Sequence, residues 1–514
     1  MKNAVGRDIP EALLVNGKEV YQGKNYMDGK YLQKAAPCTR RYERPQESKI
    51  VETLADALRQ CGAKDGMTFS FHHHLRNGDY VLNMVLEAIA ELGIGDLTVN
   101  ASSLFDAHRP LKEHIKNGVV TTLQTDYMSR ELGRFISAGG MKNPVQFRTH
   151  GGRPCDIENG KTPIDVAFIA APASDAMGNC TGKIGKSACG SLGYAIPDAK
   201  CAKHVVVITD ELHPYPLIEW SIPETDVDQV VAVESIGDPN GIVSGTTKIT
   251  RDPVGLLMAM TAVDVIKASG LLKEGFSFQT GAGGASLAAA KYLKDVMLAE
   301  KIRGSFGLGG ITGYMVDMLN EGCFESLLDV QCFDLKAVES IRSNPRHREI
   351  SATHYASPGA SSAVTDSLDV VILGATQIDT DFNINVHTDS DGRIMGGSGG
   401  HSDTAAGAKL AMIIAPLSRA RLPIVTDRVN CISTPGSTID VLVTQKGVAV
   451  NPKNTELHDR LREAGIKLVD INELKALAER TSGVPKKPAL GDRIVANVIY
   501  RDGTVIDTIK QVAD

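Results

Sequence analysis

The segment Ile164-Asp165-Val166-Ala167-Phe168 occurs a second time, in related form, as Leu368-Asp369-Val370-Val371-Ile372. Both segments are short apolar runs with an aspartate at the second position, and they lie 204 residues apart. Continuous apolar runs of this kind are typical of strands that are buried on both faces of a parallel sheet. The repetition therefore predicts two related units, each built on such a sheet.

Other segments repeat in the same order at nearly the same spacing. Asp65–Phe71 recurs as Glu274–Phe278 if one gap is allowed, and this alignment sets Phe69 on Phe276 at an offset of 207. The remaining repeated positions are Asp175 and Asp379, Asn179 and Asn383, and Gly190–Gly193 and Gly397–Gly400. The spacing makes each unit the size of a domain.

Strand and helix patterns alternate in both units, which predicts an α/β fold with largely parallel sheets. One helix is expected to follow Asp79, and another is expected to follow the strand-like segment Ser277–Thr280. We expect two related open α/β domains, over residues 46–249 and 250–514. They are preceded by an N-terminal arm over residues 1–45.

The composition is that of a globular protein, since 42% of the 514 residues are hydrophobic and 23% are charged. The formal net charge of −6 disfavours nucleic acid as a partner. The sequence shows neither an apolar run that could cross a bilayer nor an N-terminal secretory signal. No two of the nine cysteines form a C-x-x-C pair. We therefore expect free thiols, a cytoplasmic location and no membrane partner.

Glycine-rich loops follow predicted strands of the second unit, where backbone N–H groups can face an anion or a developing oxyanion. The loops are Gly281–Gly284, Gly309-Gly310 and Gly396–Gly400. A dinucleotide-binding fingerprint that starts at Gly281 needs its third glycine at position 286, which is a serine here. The sequence also contains no Walker A motif. Several such loops in one unit favour a shared ligand over purely structural turns.

The third loop also matches G-x-S-x-G, the nucleophile motif of serine hydrolases. Ser398 would be the nucleophile, and Asp427 and His458 follow in the chain order of a triad. A serine acyl-thioester hydrolase is therefore one alternative. Beyond this loop, Asp403 is expected to cap a helix, and the turn from Asp175 to Asn179 is expected to satisfy local backbone groups.

Potential cations are concentrated after the first strand of the first unit, in the segment His72-His73-His74-Leu75-Arg76, and again at His150 and Arg153. In an acidic protein such a cluster can attract a polyanionic small molecule. Histidine clusters also bind zinc, but adjacent histidines on an extended segment point to alternate sides. We therefore expect carboxylate binding at these residues and no metal site.

A family resemblance rests on several of these motifs together with their neighbours. They are Phe71–His73, Pro172–Asn179, Cys189–Ile196, Glu274–Gly284, Asp379–Val386, Gly396–Asp403 and Thr434–Ser437. In these segments the chain resembles the coenzyme A transferases, and within that superfamily it is similar to the citrate lyase alpha subunits. The resemblance covers nearly the whole chain after residue 45.

The resemblance implies two open α/β domains and a citrate:acyl-carrier-protein transferase. Such an enzyme exchanges acetyl for citryl on the thiol of a phosphoribosyl-dephospho-coenzyme A prosthetic group, with free acetyl-CoA as a surrogate. An acyl carrier gamma subunit holds that group, and a separate beta subunit cleaves the citryl thioester. The implied partners are these subunits, citrate and further copies of the chain, and no tightly bound cofactor is expected.

The candidate residues fall into three groups. Catalytic positions are expected at Gly309, Gly310, Gly399, Gly400 and His401. Citrate ligands are expected at His72, His73, His74, Arg76, His150 and Arg153. Contacts to the thioester and the pantetheine arm are expected at Gly281, Gly283, Gly284, Gly397 and Ser398.

One segment departs from the superfamily pattern. Many coenzyme A transferases use a glutamate nucleophile in a strand-end segment that corresponds to Arg303–Thr312, and this segment contains no carboxylate here. We therefore expect transfer within a ternary complex, through a citric–acetic mixed anhydride and without a glutamyl enzyme intermediate. A non-catalytic scaffold that only positions the carrier and lyase subunits is the other alternative.

Overall fold

The computed structural model describes residues 1–15, 17–23, 48–243 and 248–513. Two large sheets organise this part of the chain, and helices connect most of their strands. The α-helices are Leu54–Gln60, Val81–Glu91, Leu111–Lys116, Arg130–Ser137, Gly152–Glu158, Ala195–Cys201, Pro253–Ala268, Gly284–Glu300, Gly313–Asn320, Leu335–Ser343, Ala352–Ala356, His401–Gly407, Thr455–Glu463 and Ile471–Ser482. The helices predicted after Asp79 and after Ser277–Thr280 are both present.

The first sheet has ten strands within the described residues, and neighbouring strands are parallel except for the last pair. In spatial order they are Ile50–Val51, Gln229–Ala232, His204–Thr209, Val166–Ala171, Thr68–Phe71, Leu97–Ala101, Val120–Thr125, Val145–Phe147, Leu490–Ile499 and Val505–Val512. All six residues of Val166–Ala171 are buried, as its continuous apolar pattern predicts.

The second sheet has eight strands in the described part of the chain, and again only the last pair is antiparallel. In spatial order they are His347–Glu349, Phe324–Cys332, Gly304–Ile311, Ser277–Thr280, Val370–Leu373, Leu410–Ile414, Val441–Thr444 and Gly447–Val450. The prediction of an α/β fold with largely parallel sheets is confirmed.

Smaller sheets lie beside the two large ones. One contains Leu212–His213, Ala173–Asp175 and Cys180–Thr181, another contains Ile384–Asn385, Gln377–Asp379 and Val425–Thr426, and a third contains Ser418–Arg419 and Leu422–Pro423. The first two follow the same plan, and in each a turn closed by an aspartate connects two antiparallel strands. Asp175 Oδ1 accepts a hydrogen bond from Asn179 N (3.1 Å), and Asp379 Oδ1 accepts one from Asn383 N (2.9 Å), which confirms the predicted turn.

The sequence repeat corresponds to one local structure that occurs twice. Asp165 Oδ2 accepts a hydrogen bond from Thr68 N at 2.8 Å, and Asp369 Oδ2 accepts one from Ser277 N at 2.9 Å. Thr68 therefore corresponds to Ser277, which shifts the equivalence by two residues from the gapped alignment of Phe69 with Phe276. That alignment is wrong because the aspartate–amide contact sets the strand register.

The C-terminal hairpin belongs to the first sheet, although it follows the second sheet in the sequence. Ala496 pairs with Val145 in a parallel ladder. The end of the predicted second unit, 250–514, therefore crosses back and covers what would otherwise be an open edge of the strand Val145–Phe147. The division of the chain into two domains stays a prediction.

The predicted N-terminal arm is described only in part, since residue 16 and residues 24–47 lie outside the described ranges. Ile9 and Val20 are buried against Ile499 and Val505 of the C-terminal hairpin. Tyr21 N donates a hydrogen bond to Val505 O at 3.0 Å. The described part of the arm is thus packed on the first sheet.

The sequence predicts neither a membrane-spanning segment nor disulfides, and the described residues bear on both predictions. Among them, no helix is long and apolar enough to cross a membrane. No two cysteines in the described ranges are joined by a disulfide. Cys38 lies outside these ranges.

Candidate active site

The site lies where the carboxyl ends of strands from the two sheets meet. Gln331, at the end of a second-sheet strand, donates a hydrogen bond through Nε2 to the backbone oxygen of His73 at 2.8 Å. His150 N, after a first-sheet strand, donates to Gly399 O at 2.9 Å. These contacts bring the predicted histidine cluster and the third glycine loop together.

The three consecutive histidines are buried immediately after the strand Thr68–Phe71. His73 Nδ1 lies 2.6 Å from Ser102 Oγ, and its ring lies 4.7 Å from that of Tyr194 and 5.6 Å from that of His150, centroid to centroid. The rings of His72 and His74 stack at 5.7 Å, and among the described residues their nitrogens have no hydrogen-bond partner.

Burial changes the electrostatic role of this segment. It lowers the pKa of His72, His73 and His74 well below 6.5, and the neighbouring cations lower it further. The three imidazoles are therefore neutral at neutral pH, and their expected role as citrate ligands stays a prediction. They offer hydrogen bonds, and the charge has to come from arginine.

Arg76 supplies that charge. Its guanidinium lies over the rings of Phe333 (4.6 Å) and Phe105 (5.4 Å), and burial lowers its pKa. Within the described part of the chain, its buried Nη1 has no hydrogen-bond partner. The backbone of Arg76 is left-handed, with φ 52°, which a non-glycine residue seldom adopts. A half-buried cation with a buried, unused donor is suited to bind an anion.

Arg153, by contrast, is already engaged within the protein. Its two terminal nitrogens donate to the two carboxylate oxygens of Asp198 at 2.9 and 2.5 Å, and its Nε donates to Asn100 Oδ1 at 2.6 Å. The pair is buried and neutral overall. Arg153 lies beneath the histidine cluster, where Asp198 also lies 3.9 Å from His72 Nε2. Its role as a citrate ligand stays a prediction.

His150 is held by a carboxylate that the sequence analysis did not select. His150 Nδ1 donates to Asp126 Oδ2 at 2.9 Å, which leaves Nε2 on the side of the third glycine loop. A Cβ on Gly399, which has φ +50°, would lie 3.2 Å from that nitrogen. The only sequence signal for Asp126 was its position directly after the strand Val120–Thr125.

Asp403 ties the two units together at this point. It is buried, and it accepts hydrogen bonds from Thr149 Oγ1 and Gly151 N, both at 2.9 Å. Its own helix, His401–Gly407, has no side-chain cap. The expectation that Asp403 caps this helix is therefore wrong, because the carboxylate holds the turn that carries His150.

His401 is buried within the second unit. Its Nε2 donates to Gly374 O at 2.9 Å, so its Nδ1, 2.8 Å from Thr434 Oγ1, accepts from that hydroxyl. Burial lowers the pKa of His401 to about 4. Both ring nitrogens are engaged within the protein, and a catalytic role for His401 stays a prediction.

The alternative serine triad is not assembled. Ser398 Oγ lies 2.8 Å from Ser402 Oγ, the exposed Asp427 forms an ion pair with Lys475 at 2.7 Å, and the exposed His458 lies beside Asp459. The three side chains of the proposed triad contact other residues. The interpretation of Ser398 as an activated nucleophile is therefore wrong in its geometry.

The second glycine loop is shaped by two residues that sequence reasoning missed. Gly309, with φ +100°, lies against the side chain of Gln279, which a Cβ would approach to 2.8 Å. Gln279 Nε2 donates to Tyr355 Oη at 2.9 Å, while its Oε1 is buried without a partner among the described residues. A Cβ on Gly400 would lie 2.5 Å from the same Tyr355 hydroxyl. Gln279 and Tyr355 thus connect both predicted catalytic loops.

The first loop lies at the start of the helix Gly284–Glu300. Cβ atoms on Gly281 and Gly283 would have their nearest neighbours at 3.7 and 3.8 Å, so the loop backbone is open. Among the described residues no side chain caps this helix, and its first N–H groups have no partner within the helix. Gly397 packs closely on Asp126 O instead. Contacts of these residues with a thioester stay predictions.

The family model and the known sequences that match this chain point to the same family. Residues 47–512 match the family described as citrate lyase, alpha subunit (CitF). The chain is 48% identical to the citrate lyase alpha chain of Klebsiella pneumoniae over 512 residues, which is 100% of this chain and 99% of the relative.

Solved structures agree with this. A crystal structure of the citrate lyase alpha subunit from Streptococcus mutans, in complex with citrate, is similar with a TM-score of 0.97, 45% identity and complete coverage of both chains. The malonate decarboxylase alpha subunit of Acinetobacter baumannii, with a TM-score of 0.63 and 17% identity, covers 86% of this chain and 94% of its own, and shares only the fold. The chain therefore belongs to the citrate lyase alpha subunit family.

Proposed function

We propose that the chain is an acyl-thioester transferase that uses citrate as the acceptor: acetyl thioester and citrate become citryl thioester and acetate. The observation that carries this proposal is Arg76, a cation held between two aromatic rings with a buried donor that the described residues leave unused. The same segment carries His72 and His74, whose buried ring nitrogens have no hydrogen-bond partner among the described residues. The Streptococcus mutans relative, which is 45% identical, was crystallised in complex with citrate.

Charge and burial explain why these residues suit a carboxylate. The ion pair of Arg153 with Asp198 is neutral, so of the two arginines predicted as citrate ligands Arg76 is the one whose charge the described residues leave unpaired. A carboxylate that enters would exchange water for charge-assisted hydrogen bonds in a partly desolvated setting. His74 and His150 would donate or accept further hydrogen bonds, and Asp126 would keep the His150 ring in place.

The proposed reaction has two acyl-transfer steps and no covalent enzyme. A citrate carboxylate oxygen attacks the acetyl carbonyl carbon, and the carbon–sulfur bond breaks. The thiolate departs as the leaving group, and a citric–acetic anhydride is formed. The thiolate then attacks the citryl carbonyl, and acetate departs with the bridging oxygen. The strand Gly304–Ile311 brings Gly309 and Gly310 to the site, but Arg303–Thr312 offers no carboxylate as a competing nucleophile.

The protein's part in this reaction is to hold the reactants and to stabilise negative charge. The loops at Gly309-Gly310 and Gly399-Gly400 place backbone groups beside Gln279 and His150, where oxyanions would develop. The open backbone at Gly281 and Gly283 would accept the pantetheine arm of the thioester, while Gly284 packs on Lys248 and Thr250. Proximity in a ternary complex would supply most of the rate enhancement.

The thioester would be presented by an acyl carrier subunit whose phosphoribosyl-dephospho-coenzyme A group is the thiol carrier. A citryl lyase subunit would consume the product, and further copies of the chain would complete the assembly. The two relatives named as citrate lyase alpha chain or subunit support this arrangement.

The proposal is tested by incubating the purified chain with acetyl-CoA and citrate, and measuring acetate and citryl thioester together. We expect acetate release that depends on citrate and equals the citryl thioester formed. If acetyl-CoA is inactive, the acetylated carrier protein is used in the same assay. Acetate release without citrate would indicate a hydrolase, and no turnover with either donor would indicate a scaffold.

A further inference from the structure

A second cluster of reactive side chains lies outside the proposed site, at the end of the strand Phe324–Cys332. His347 Nε2 lies 2.9 Å from Asp329 Oδ2, and Cys332 Sγ lies 3.0 Å from the same oxygen. One donor atom from each residue lies within 4.8 Å of the other two, and all three residues are buried. The proposed reaction uses none of them.

Two features of the surroundings suit a bound cation. Asp329 Oδ1 is buried and has no partner among the described residues, and such an unpaired oxygen is costly inside a protein. His347 Nδ1 lies 3.0 Å from Ser340 Oγ, which fixes the ring with Nε2 toward the cluster. Outer hydrogen bonds of this kind orient metal-bound imidazoles.

Charge balance favours a divalent ion. With a neutral thiol and a neutral imidazole, the Asp329 carboxylate would be an uncompensated charge in the interior, which is unfavourable. With the Cys332 thiol ionised, the cluster carries two negative charges, and a divalent cation neutralises both. Thiolate, imidazole and carboxylate together are ligands that zinc takes in proteins.

We propose that Asp329, Cys332 and His347 bind a zinc ion. The protein donors are one oxygen of Asp329, Cys332 Sγ and His347 Nε2, and a water molecule would complete a tetrahedral set of four. Pairs of donors now 2.9 and 3.0 Å apart must separate by about half an ångström to reach tetrahedral zinc bond lengths. On binding, the thiol proton leaves to solvent, and the imidazole proton lies on Nδ1, which donates to Ser340 Oγ.

The position of this site suggests a structural role. Ser191 Oγ, from the first unit, donates to the backbone oxygen of Asp329 at 2.9 Å. Gln331, between two of the ligands, holds the backbone of His73. A zinc ion would therefore fix the strand end that joins the two units. A cleft of about 540 Å³, whose lining includes His347, Trp220 and Lys183, offers access from solvent.

The test measures metal in the purified full-length chain. We expect about one zinc per chain by elemental analysis, and X-ray absorption that shows one sulfur and otherwise nitrogen or oxygen ligands. Replacement of zinc by cobalt should produce a thiolate-to-cobalt charge-transfer band. Less than about a tenth of an equivalent after zinc loading, or absorption without a sulfur ligand, would overturn the proposal.

Variants locate the ion. Cys332→Ser should lose the zinc and the cobalt band, while Cys323→Ser, a buried thiol before the other end of the same strand, should keep both. If Cys332→Ser does not fold, Asp329→Asn is tested in its place. The sulfur ligand seen by X-ray absorption in the unmodified chain still decides whether a cysteine binds the zinc. Equal zinc in all three variants would show that the metal lies elsewhere and would overturn the assignment.

Discussion

Arg76 is the residue on which the proposed recognition of citrate depends most. Arg76→Gln removes the charge but keeps a hydrogen-bond donor between the rings of Phe105 and Phe333. We expect the KM for citrate to rise about 10- to 100-fold, because a charged hydrogen bond is lost, while the KM for the acetyl thioester stays unchanged. Initial rates with both substrates varied measure the two constants.

Arg109→Gln is the matched control for this variant. Arg109 is exposed, and its ion pair with Glu131 is long, at 3.8 Å. Its loss should therefore leave both constants unchanged. A rise in the KM for the thioester, with an unchanged KM for citrate in Arg76→Gln, would place Arg76 on the thioester side of the site and would contradict its assignment.

The buried side chain of His401 leads to a prediction about how the free energy of unfolding depends on pH. Burial lowers its pKa from 6.5 in the unfolded chain to about 4 in the folded protein, so between these values the unfolded state binds more protons. Its contribution to stability is therefore complete above pH 6.5 and is lost as pH falls toward 4, by up to about 3 kcal/mol. His401→Gln should lose less stability over this range than the unmodified chain.

Urea unfolding at pH 7 and at pH 4.5 measures this difference. His458→Gln serves as the control, because it removes an exposed histidine and leaves the buried core unchanged. Identical pH dependence in the unmodified chain and in His401→Gln would show that His401 is not buried in its neutral form.

At the residue scale, the sequence shows which side chains lie together along the chain, but it does not show their charge state. The clustering of His72–His74 with Arg76 is visible because it is local. Their neutrality is not visible, because it follows from burial by residues such as Tyr194. The engagement of Arg153 by Asp198, 45 residues away, is likewise a product of the fold.

At the scale of strands and loops, the bulge at Gly309 shapes the predicted catalytic edge. The register between strands Gly304–Ile311 and Phe324–Cys332 shifts between Gly309 and Gly310. Gly309→Ala would strain a backbone at φ +100° and push on Gln279. We expect kcat to fall at least about tenfold in the transferase assay, because small displacements of catalytic groups are costly.

Gly322→Ala is the control for backbone strain. Gly322 also has a positive φ, +84°, but a Cβ there would have no neighbour within 4 Å. Gly322→Ala should lower the midpoint of thermal unfolding about as much as Gly309→Ala does, while leaving kcat unchanged. An equal loss of kcat in both variants would mean that strain, and not the contact with Gln279, is responsible.

Strands and helices were predictable where their pattern is local. Apolar runs such as Val166–Ala171 and Val370–Leu373 identify themselves because both faces are buried. The register of the repeat was wrong by two residues, since the contact of Asp165 with Thr68 spans distant segments. The same limit hid the function of Asp403, whose partners lie in the other unit.

For the whole molecule, the C-terminal hairpin is the element that returns from the second unit to the first. A chain that ends at residue 489 would lose Arg501, which contacts Asp403, and would expose the edge of the strand Val145–Phe147. We expect such a chain to aggregate, because an open strand edge pairs with other chains. The soluble fraction and size-exclusion profile measure this.

A nicked chain separates loss of the hairpin from loss of chain continuity. Val484 is exposed, so a protease site introduced beside it should be cleaved while the hairpin stays bound and the two pieces co-elute. A soluble, monodisperse chain ending at residue 489 would show that the hairpin is dispensable.

The duplication of the molecule could be predicted from the sequence, but the placement of the site could not. Repeated segments revealed two sheets, and strand-end loops revealed candidate residues in each. The junction itself depends on contacts between distant residues, such as Gln331 with His73 and Gly399 with His150. Gln279 and Tyr355 were missed for the same reason: Gln279 lies in a segment of the family resemblance but was not singled out there, and Tyr355 lies outside these segments.

Direct attack by citrate is tested by a single turnover with oxygen-18 in the citrate carboxylates and the enzyme in excess over acetyl thioester. In the proposed ternary complex the bridging oxygen of the anhydride comes from citrate, so acetate formed in the first turnover should carry one oxygen-18. Transfer through a protein carboxylate would place an oxygen of the enzyme in that acetate. Unlabelled acetate in the first turnover would therefore contradict transfer without a covalent enzyme intermediate.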